Sequence, residues 1–187
     1  IEYDSSDRIR ILEGTEGGSS SVTVRGAGFN RDPSAWQHVV VKYDSTQGTA
    51  SDRIKIYLNG VEVTYDSTTY PSSNKDSEFN NTVVHTIGAT SVGSSVGSFF
   101  DGYMAEVVLI DGQALDPTSF GEFDEDSPTI WKPKDVSGLT FGTNGFYLDF
   151  ENSGSLGADV SGNGNNFTVN NLTSIDQTTD ELPPSVP

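Results

Sequence analysis

The stretch WQHVVVKYDSTQGTASDRIKIYLNGVEV, residues 36–63, carries the clearest fold signal of the chain. After its polar loop, apolar residues recur at every second position, at Ile54, Ile56 and Leu58. This period of two is typical of a strand with one face in a core and one in water. The pair Asn59-Gly60 then gives the strongest short hairpin signal, because both residues tolerate a positive φ. The stretch therefore predicts two strands, a tight turn and a third strand.

Similar alternation recurs along the chain, in short runs separated by Gly, Ser, Thr, Asn and Asp. It predicts further strands at residues 8–12, 20–25, 83–89, 99–110 and 146–150. The run 99–110 is apolar on both faces, which predicts a central, doubly covered strand. Residues 66–81 are polar and predict a long loop. No run of useful length has a helical period, so the pattern predicts an all-β fold.

The charge balance excludes whole classes of partner. The 187 residues carry 27 acidic and 10 basic side chains, for a net charge of −17. Such a surface repels phosphate backbones and anionic lipid, so we expect no nucleic-acid partner.

No apolar run approaches the ~20 residues of a membrane-spanning helix, so we expect no membrane span. The chain has no Cys, which excludes disulfides and thiolate metal sites.

An ordered set of strings carries a family resemblance. WQHVVVKYD, DRIKIYLNGVEV, IGA and FDGYMAEVVLIDGQAL together resemble the laminin-G-like branch of the concanavalin A-like lectin/glucanase superfamily, whose jelly roll pentraxins share. The chain is also similar to domains of marine bacteriophage tail-fibre and other virion surface proteins. The strings of that second likeness are DPSAWQHVVV, TQGTASDRIKIYLNG, GEFDED, WKPK, GTNGFYLDF and SGNGNNFT. The resemblance covers roughly residues 4–184.

The resemblance implies a two-sheet antiparallel β-sandwich. The family has further strands before the equivalent of Ile1, so it implies that the first strands are missing or supplied from elsewhere. The chain also opens at Ile1 without an initiator Met, and we expect it to be a fragment, a processed product or the visible part of something larger. Family members include carbohydrate binders, adhesion modules, glycosidases and inert spacers, so the fold alone does not choose among these activities.

The expected organisation has four parts. Residues 1–115 form the laminin-G-like sandwich, and 116–145 form a connector punctuated by Pro residues. Residues 146–175 form a C-terminal strand segment with the SGNGNN loop. Residues 176–187 are polar and Pro-rich, and we interpret them as a tail or linker.

The string GEFDED contains the candidate catalytic carboxylates Glu122, Asp124 and Glu125. Glycosidases of the superfamily use acidic residues that alternate on one strand, as nucleophile and acid/base. Here the third alternating position is Asp126 instead of Glu, and the segment lies between prolines. We therefore expect a solvated acidic loop and no enzymatic activity. His38 and His85 lie in predicted strands, and we expect them to be sheet residues.

The Gly-rich run after residue 158 places oxygen donors at alternate positions, at Asp159, Ser161, Asn163 and Asn165. Ca²⁺ prefers such ligands on a flexible loop, so calcium is the one cofactor that the sequence suggests. Loops at the sandwich end could add further carboxylates, from Asp44, Asp52 and Asp101. The alternative is a run of Asx turns, because Asn and Asp bond their own backbone.

Three aromatic residues, Tyr65, Tyr70 and Trp131, are candidates for stacking on sugar rings, since an aromatic body offers apolar faces with a polar rim. The alternative is ordinary packing of loops onto the sandwich. Three Asn-x-Ser/Thr sequons begin at Asn80, Asn166 and Asn171. They mark glycosylation only where the host has the machinery.

These observations predict a non-enzymatic adhesion or structural module of a phage virion surface protein, with a host-surface glycan as its partner. The alternative is a structural subunit of an extracellular filament, in which neighbouring copies complement each other's strands in a homo-oligomer. A glycoside hydrolase is the third hypothesis. Each of the first two places the chain on a virion surface or outside a cell.

Overall fold

The computed structural model describes residues 1–14, 20–32, 34–92 and 95–178, without the side chains of Ser20, Asn80, Ser91 and Val92. The described residues form antiparallel sheets and three single-turn 3₁₀ helices, with no α-helix among them. The predicted all-β class is therefore confirmed. From residue 179 onward, the predicted tail lies outside the described residues. No described helix is long and apolar enough to span a membrane.

The strands are β1 Glu2–Tyr3, β2 Ile9–Gly14, β3 Ser20–Gly26, β4 Val39–Tyr43, β5 Ile54–Leu58, β6 Val61–Glu62, β7 Tyr65–Thr69, β8 Thr90–Val92, β9 Ser95–Gly97, β10 Val107–Leu109, β11 Gly121–Phe123, β12 Trp131–Pro133 and β13 Phe146–Leu148. The 3₁₀ turns are Ala50–Asp52, Glu78–Asn80 and Pro117–Ser119. The chain divides into two compact units. Unit 1 comprises Ile1–Gly102 and Ala114–Val136, and unit 2 comprises Tyr103–Gln113 and Ser137–Pro187.

Unit 1 is built on two antiparallel sheets, ordered β1-β2-β3-β7 and β4-β5-β6. Alternate residues of the central strands point inward and form one buried cluster, which consists of Ile9, Ile11, Val22, Val24, Ile54 and Ile56. Because these residues come from both sheets, the core lies between two sheets, as in a concanavalin A-like sandwich. Burial of their apolar surface is the main stabilising contribution to unit 1.

The predicted hairpin at Asn59-Gly60 is confirmed. Both turn residues have positive φ, 47° and 77°, and they join β5 to β6. Strand β4 pairs with β5 in a register that sets Val41 opposite Ile56. The turn therefore fixes which face of β5 meets the core, as the alternation predicted.

One loop prediction and two strand predictions differ from the structure. The predicted loop 66–81 begins with β7, which pairs with β3 although its sequence is mostly polar. Residues 83–89 form no strand, and the side chains of Val83 and Val84 are exposed. In the predicted strand 99–110 only β10 forms, because Glu106 has a positive φ of 51° that interrupts the extended backbone.

Unit 2 is smaller, and its ladder joins β10 to β13 with Val108 opposite Tyr147. Aromatic rings pack around this ladder. Phe141 stacks on Tyr147 with ring centroids 6.1 Å apart, and Phe146 meets Phe167 edge to face at 4.8 Å. These contacts, together with buried Leu148 and Leu156, give unit 2 a core of its own.

Candidate functional site

An acidic residue, Glu13, lies at a core position of unit 1. It follows Ile9 and Ile11 on the inward face of β2, and only 2% of its surface is exposed. Its carboxylate accepts hydrogen bonds from the Ser77 hydroxyl at 3.0 Å and the Glu78 backbone N–H at 3.2 Å. A buried carboxylate is costly unless it is paired, so these donors are required at this position.

The remaining partners of Glu13 are a cation and a phenol. Its carboxylate forms an ion pair with the Lys75 ammonium and accepts a hydrogen bond from the Tyr43 hydroxyl at 3.4 Å. Burial, with a further contribution from the Glu13 charge, raises the pKa of Tyr43, which keeps that hydroxyl a donor. Glu13 thus fixes the segment after β7 against β2.

Glu13 was not among the residues predicted from the sequence, although a signal for it exists. An acid that continues an inward alternation, after Ile9 and Ile11, is either a register error or a buried carboxylate with partners. The partners could not be named from the sequence, because the carboxylate and Lys75 lie 62 residues apart.

A cleft of about 270 Å³ opens beside Glu13 in unit 1. Its apolar wall is formed by Ile1, Leu12, Phe79, Val83, Val84 and Ala89, and its polar groups come from Glu2, Glu13, Glu78, His85, Thr86 and Thr90. An apolar wall with a few convergent polar groups is the usual composition of a small-molecule site. His85 lines this cleft and lies outside the strands, so the prediction that it is a sheet residue is wrong.

The two candidate tyrosines are packed on the core of unit 1. The Tyr65 hydroxyl accepts a hydrogen bond from the Ile56 backbone N–H at 2.9 Å and donates to the Glu62 carboxylate at 3.2 Å. Burial raises the pKa of Tyr65. Tyr70 also packs against the buried cluster. Both side chains are half-buried and take part in the contacts of the sandwich.

The third candidate, Trp131, joins two distant parts of unit 1. Its indole N–H donates to Nδ1 of His38 at 3.0 Å, and Phe123 meets it edge to face with centroids 5.0 Å apart. Gly60 and Gly121 both lie so close that a Cβ on either would collide with the indole. Burial lowers the pKa of His38, in keeping with a neutral ring whose Nδ1 accepts. Trp131 thus holds the β11–β12 hairpin against the β5–β6 turn.

Gly60→Ala tests this packing. The new Cβ would overlap the Trp131 indole and would stand on a backbone with φ of 77°. Overpacking and left-handed strain together cost about 3 kcal/mol, so we expect a loss of that size in urea unfolding. Gly48→Ala is the matched control, because nothing lies within 4 Å of a Cβ there. Equal stability of the two variants would contradict the assigned role of Trp131.

The candidate catalytic acids are ion-paired in a hairpin of unit 1. Glu122 in β11 meets the Lys134 ammonium at 3.3 Å, and Asp124 meets Lys132 at 3.0 Å. The hydrogen bond from Lys132 lowers the pKa of Asp124, and two backbone N–H groups add to the effect. Glu125 and Asp126 are exposed. The acidic segment is therefore a surface hairpin with lysine partners.

The candidate calcium loop of unit 2 is organised around Asp159. Its carboxylate accepts three backbone N–H groups, those of Tyr147 at 2.9 Å, Ser161 at 2.9 Å and Asn165 at 2.8 Å. The Ser161 hydroxyl accepts from the Asn163 backbone at 3.2 Å. Burial opposes ionisation, but these hydrogen bonds prevail and lower the pKa of Asp159. The loop is thus a run of Asx-type turns, the alternative that the sequence left open.

The side-chain amides of the same loop reach the start of β13. Asn163 donates to the carbonyls of Gly142 at 2.6 Å and Gly145 at 2.9 Å, and Asn165 donates to Gly145 at 2.9 Å. Gly145 is required there, because a Cβ would collide with the backbone of Phe141. These contacts tie the loop to the ladder of unit 2.

The described residues contain no cluster of three or more His, Cys, Asp or Glu side chains that could hold a metal. Of the additional candidate ligands, Asp44 accepts from Thr46 and Gln47, and Asp52 pairs with Lys55. Asp101 is exposed. Calcium binding therefore stays a prediction for direct measurement.

The three sequons occupy different settings. Asn80 ends a 3₁₀ turn, and its side chain is outside the description. The amide oxygen of Asn166 accepts the Asp159 backbone N–H at 2.9 Å. Asn171 is exposed, with a φ of 59°. Their use as glycosylation sites stays a prediction.

Comparison with known proteins identifies the family to which most of unit 1 belongs. No curated protein and no solved structure matches the chain. A family model described as the concanavalin A-like lectin/glucanases superfamily matches residues 1–119, more than half of the 187 residues. The matched stretch contains both sheets of unit 1 and the buried cluster between them. The chain therefore belongs to the laminin G-like family of the concanavalin A-like lectin/glucanases superfamily.

Proposed function

We propose that this chain is a non-enzymatic carbohydrate-binding module, and that the cleft beside Glu13 is its sugar site. The cleft itself carries the proposal, since its volume of about 270 Å³ is near the lower end of the roughly 300–1,000 Å³ of small-ligand pockets and suits a single sugar ring. Phe79, Val83 and Val84 offer apolar surface to the C–H face of a ring. The Thr86 and Thr90 hydroxyls donate to the carbonyls of Ala89 and Gly97, and their oxygens can accept hydrogen bonds from the rim of a sugar. Membership of a lectin and glucanase superfamily supports the same interpretation.

The charge of the lining selects among sugars. Glu78 places an exposed acidic side chain on the cleft, in a chain of net charge −17, whereas the other two lining acids are ion-paired, Glu2 with Arg10 and Glu13 with Lys75. Carboxylates accept hydrogen bonds from hydroxyls and ammonium groups and repel other anions. The ligand is therefore a neutral or amino sugar, and uronates and sialates are disfavoured.

The acidic hairpin supports a module without hydrolytic activity. Glycoside hydrolysis needs two carboxyl groups flanking the bond to be cleaved, one of which must carry a proton. Glu122 and Asp124 are instead held beside lysines on a surface hairpin, and the lysine hydrogen bond lowers the pKa of Asp124. Sugar release from a polysaccharide that is lost in Glu122→Gln would overturn this part of the proposal.

Glu78→Gln tests the sugar site. Glu78 lines the cleft and is exposed. Loss of a charged acceptor costs about 1.5–3 kcal/mol, so we expect at least tenfold weaker binding of the neutral or amino glycan that the wild type selects on an array. Titration calorimetry with that glycan measures the change.

Glu151→Gln is the control for this experiment, because it removes an exposed carboxylate of unit 2 that does not line the cleft. It should bind like the wild type. Selection of acidic sugars alone would contradict the assigned ligand class. An array without any bound glycan would contradict the function itself.

The setting of the module forms part of the proposal. The resemblance of several strings to marine bacteriophage tail-fibre and other virion surface proteins favours a place on a phage particle, where binding to a host glycan would serve adhesion. Antibodies raised against this chain should label intact virions in electron microscopy. Labelling confined to host material would contradict that location.

A further inference from the structure

The ten basic side chains of the chain all lie in the described residues, and each already has partners. Arg53 donates to three backbone carbonyls. The other nine form ion pairs with carboxylates, and they are Arg8, Arg10, Arg25, Arg31, Lys42, Lys55, Lys75, Lys132 and Lys134. No lysine or arginine of the described chain is therefore left to neutralise a further carboxylate or to attract an anionic ligand.

The three carboxylates that line the cleft beside Glu13 differ in this respect. Glu2 is paired with Arg10 at 2.6 Å, and Glu13 is paired with Lys75. Glu78 is exposed, and none of the basic side chains in the described residues pairs with it. Among the described residues of the lining, Glu78 thus carries the negative charge that no cation of the chain neutralises.

The backbone that carries Glu78 is held in place. Its N–H donates to the Glu13 carboxylate at 3.2 Å, and the N–H of Phe79 donates to the Ser77 hydroxyl at 3.0 Å. Phe79 and Val83 contribute apolar surface to the same cleft. Charges interact more strongly beside an apolar wall, because less water screens them. A cationic group of a ligand would therefore meet a carboxylate whose position is already fixed.

We propose that the ligand of this cleft is a protonated amino sugar, bound in preference to its N-acetylated counterpart. This inference rests on the proposed sugar site and names its substrate class. The sugar ammonium donates to the Glu78 carboxylate, in a hydrogen bond strengthened by both charges, while the C–H face of the ring lies on the apolar wall. Acetylation removes the charge and adds bulk, in a cleft whose volume of about 270 Å³ suits a single ring.

The other charges of the chain favour the same ligand. A net charge of −17 attracts cations and repels anions at long range. Ile1 also lines the cleft, and burial lowers the pKa of its amino group, which disfavours a competing positive charge there. Salt screens the interaction between exposed charges, over ~10 Å at 0.1 M. The preference for the amino sugar should therefore fall as ionic strength rises.

Titration calorimetry of the full 187-residue chain tests this inference with methyl glucosaminide and methyl N-acetylglucosaminide. Both are titrated at about pH 6.5, where an amino group keeps its proton. We expect the wild type to bind the amine about fivefold more tightly at about 0.05 M NaCl, and this preference should shrink at about 0.5 M NaCl.

Two variants that each remove one negative charge locate the source of the preference. Glu78→Gln should bind the two sugars alike, with an unchanged circular dichroism spectrum. Glu151→Gln loses the same charge from an exposed position of unit 2 that does not line the cleft, so it should keep the wild-type preference. A preference lost equally in both variants would assign it to net charge and overturn the inference.

Other outcomes separate this inference from the proposed function. Equal binding of the two sugars by the wild type, tighter binding of the N-acetylated form, or a preference that a folded Glu78→Gln variant retains would overturn the amino-sugar ligand and leave the sugar site standing. Binding of neither sugar would also overturn it. In that case a neutral glycan bound on the array would preserve the proposed function, and an array without any bound glycan would contradict both.

Discussion

Glu13→Ala is expected to destabilise unit 1 by about 3 kcal/mol, or to lower its melting temperature by about 10 °C. The change removes the carboxylate of a residue that is 2% exposed and leaves four donors without their acceptor. Breaking a buried ion pair costs about 3–5 kcal/mol, and the lower end applies because the Lys75 side chain is 26% exposed and can recover water. Urea and thermal unfolding measure the loss.

The matched control is Glu122→Ala. This carboxylate also pairs with a lysine, but its side chain is 52% exposed. Surface ion pairs contribute about 0–1 kcal/mol, so the variant should unfold close to the wild type. If both variants lost the same small amount, Glu13 would not organise the segment beside β2. The residues that line the cleft would then be held in place by contacts other than those of Glu13.

Asp159→Ala is expected to cost about 3 kcal/mol in the unfolding of unit 2. Three backbone N–H groups lose a charged acceptor together, and each donor left unsatisfied costs roughly 1–3 kcal/mol where water does not reach it. Asp149→Ala is the control, because that carboxylate accepts from a single N–H, that of Glu151 at 3.1 Å. Comparable losses in both variants would contradict the central role of Asp159.

The loss of stability in Asp159→Ala should depend on pH. The pKa of Asp159 is lowered on folding, so its ionised form stabilises unit 2. This contribution is complete above the unfolded pKa of about 3.9 and is lost as pH falls through the lower folded value. The difference in melting temperature between wild type and Asp159→Ala should therefore be full at about pH 7 and shrink below about pH 4.

Calcium and chelator complete this experiment. A ligand that binds only the folded state raises its melting temperature by mass action. A calcium-dependent rise in the wild type that disappears in Asp159→Ala would confirm the predicted metal site. The four samples are wild type and Asp159→Ala, each with calcium and with chelator. Identical melting temperatures with calcium and with chelator would rule out the metal site and leave the Asx turns as the whole role of the loop.

Local signals were enough to predict much of the fold. The alternation of Ile54 and Ile56 and the Asn59-Gly60 pair predicted the central hairpin, because side-chain period and turn chemistry act over a few residues. The turns at Ser161 and Asn163 were foreseeable for the same reason, since the bonds that form them join residues two apart. The expected repulsion of nucleic acid also follows from composition, because net charge acts without reference to structure.

Contacts between residues far apart in the sequence determined the features that local signals did not predict. Strand β7 has no alternation of its own and is a strand only because β3 offers an edge to pair with. The predicted strand 99–110 fails at Glu106, whose backbone turns left-handed. Trp131 meets His38 across 93 residues, and Glu13 meets Lys75 across 62. Strand period and turns depend on sequence neighbours and can be predicted from them. Which aromatic is packed and which acid is buried was settled only in the folded chain, because those contacts form between residues far apart.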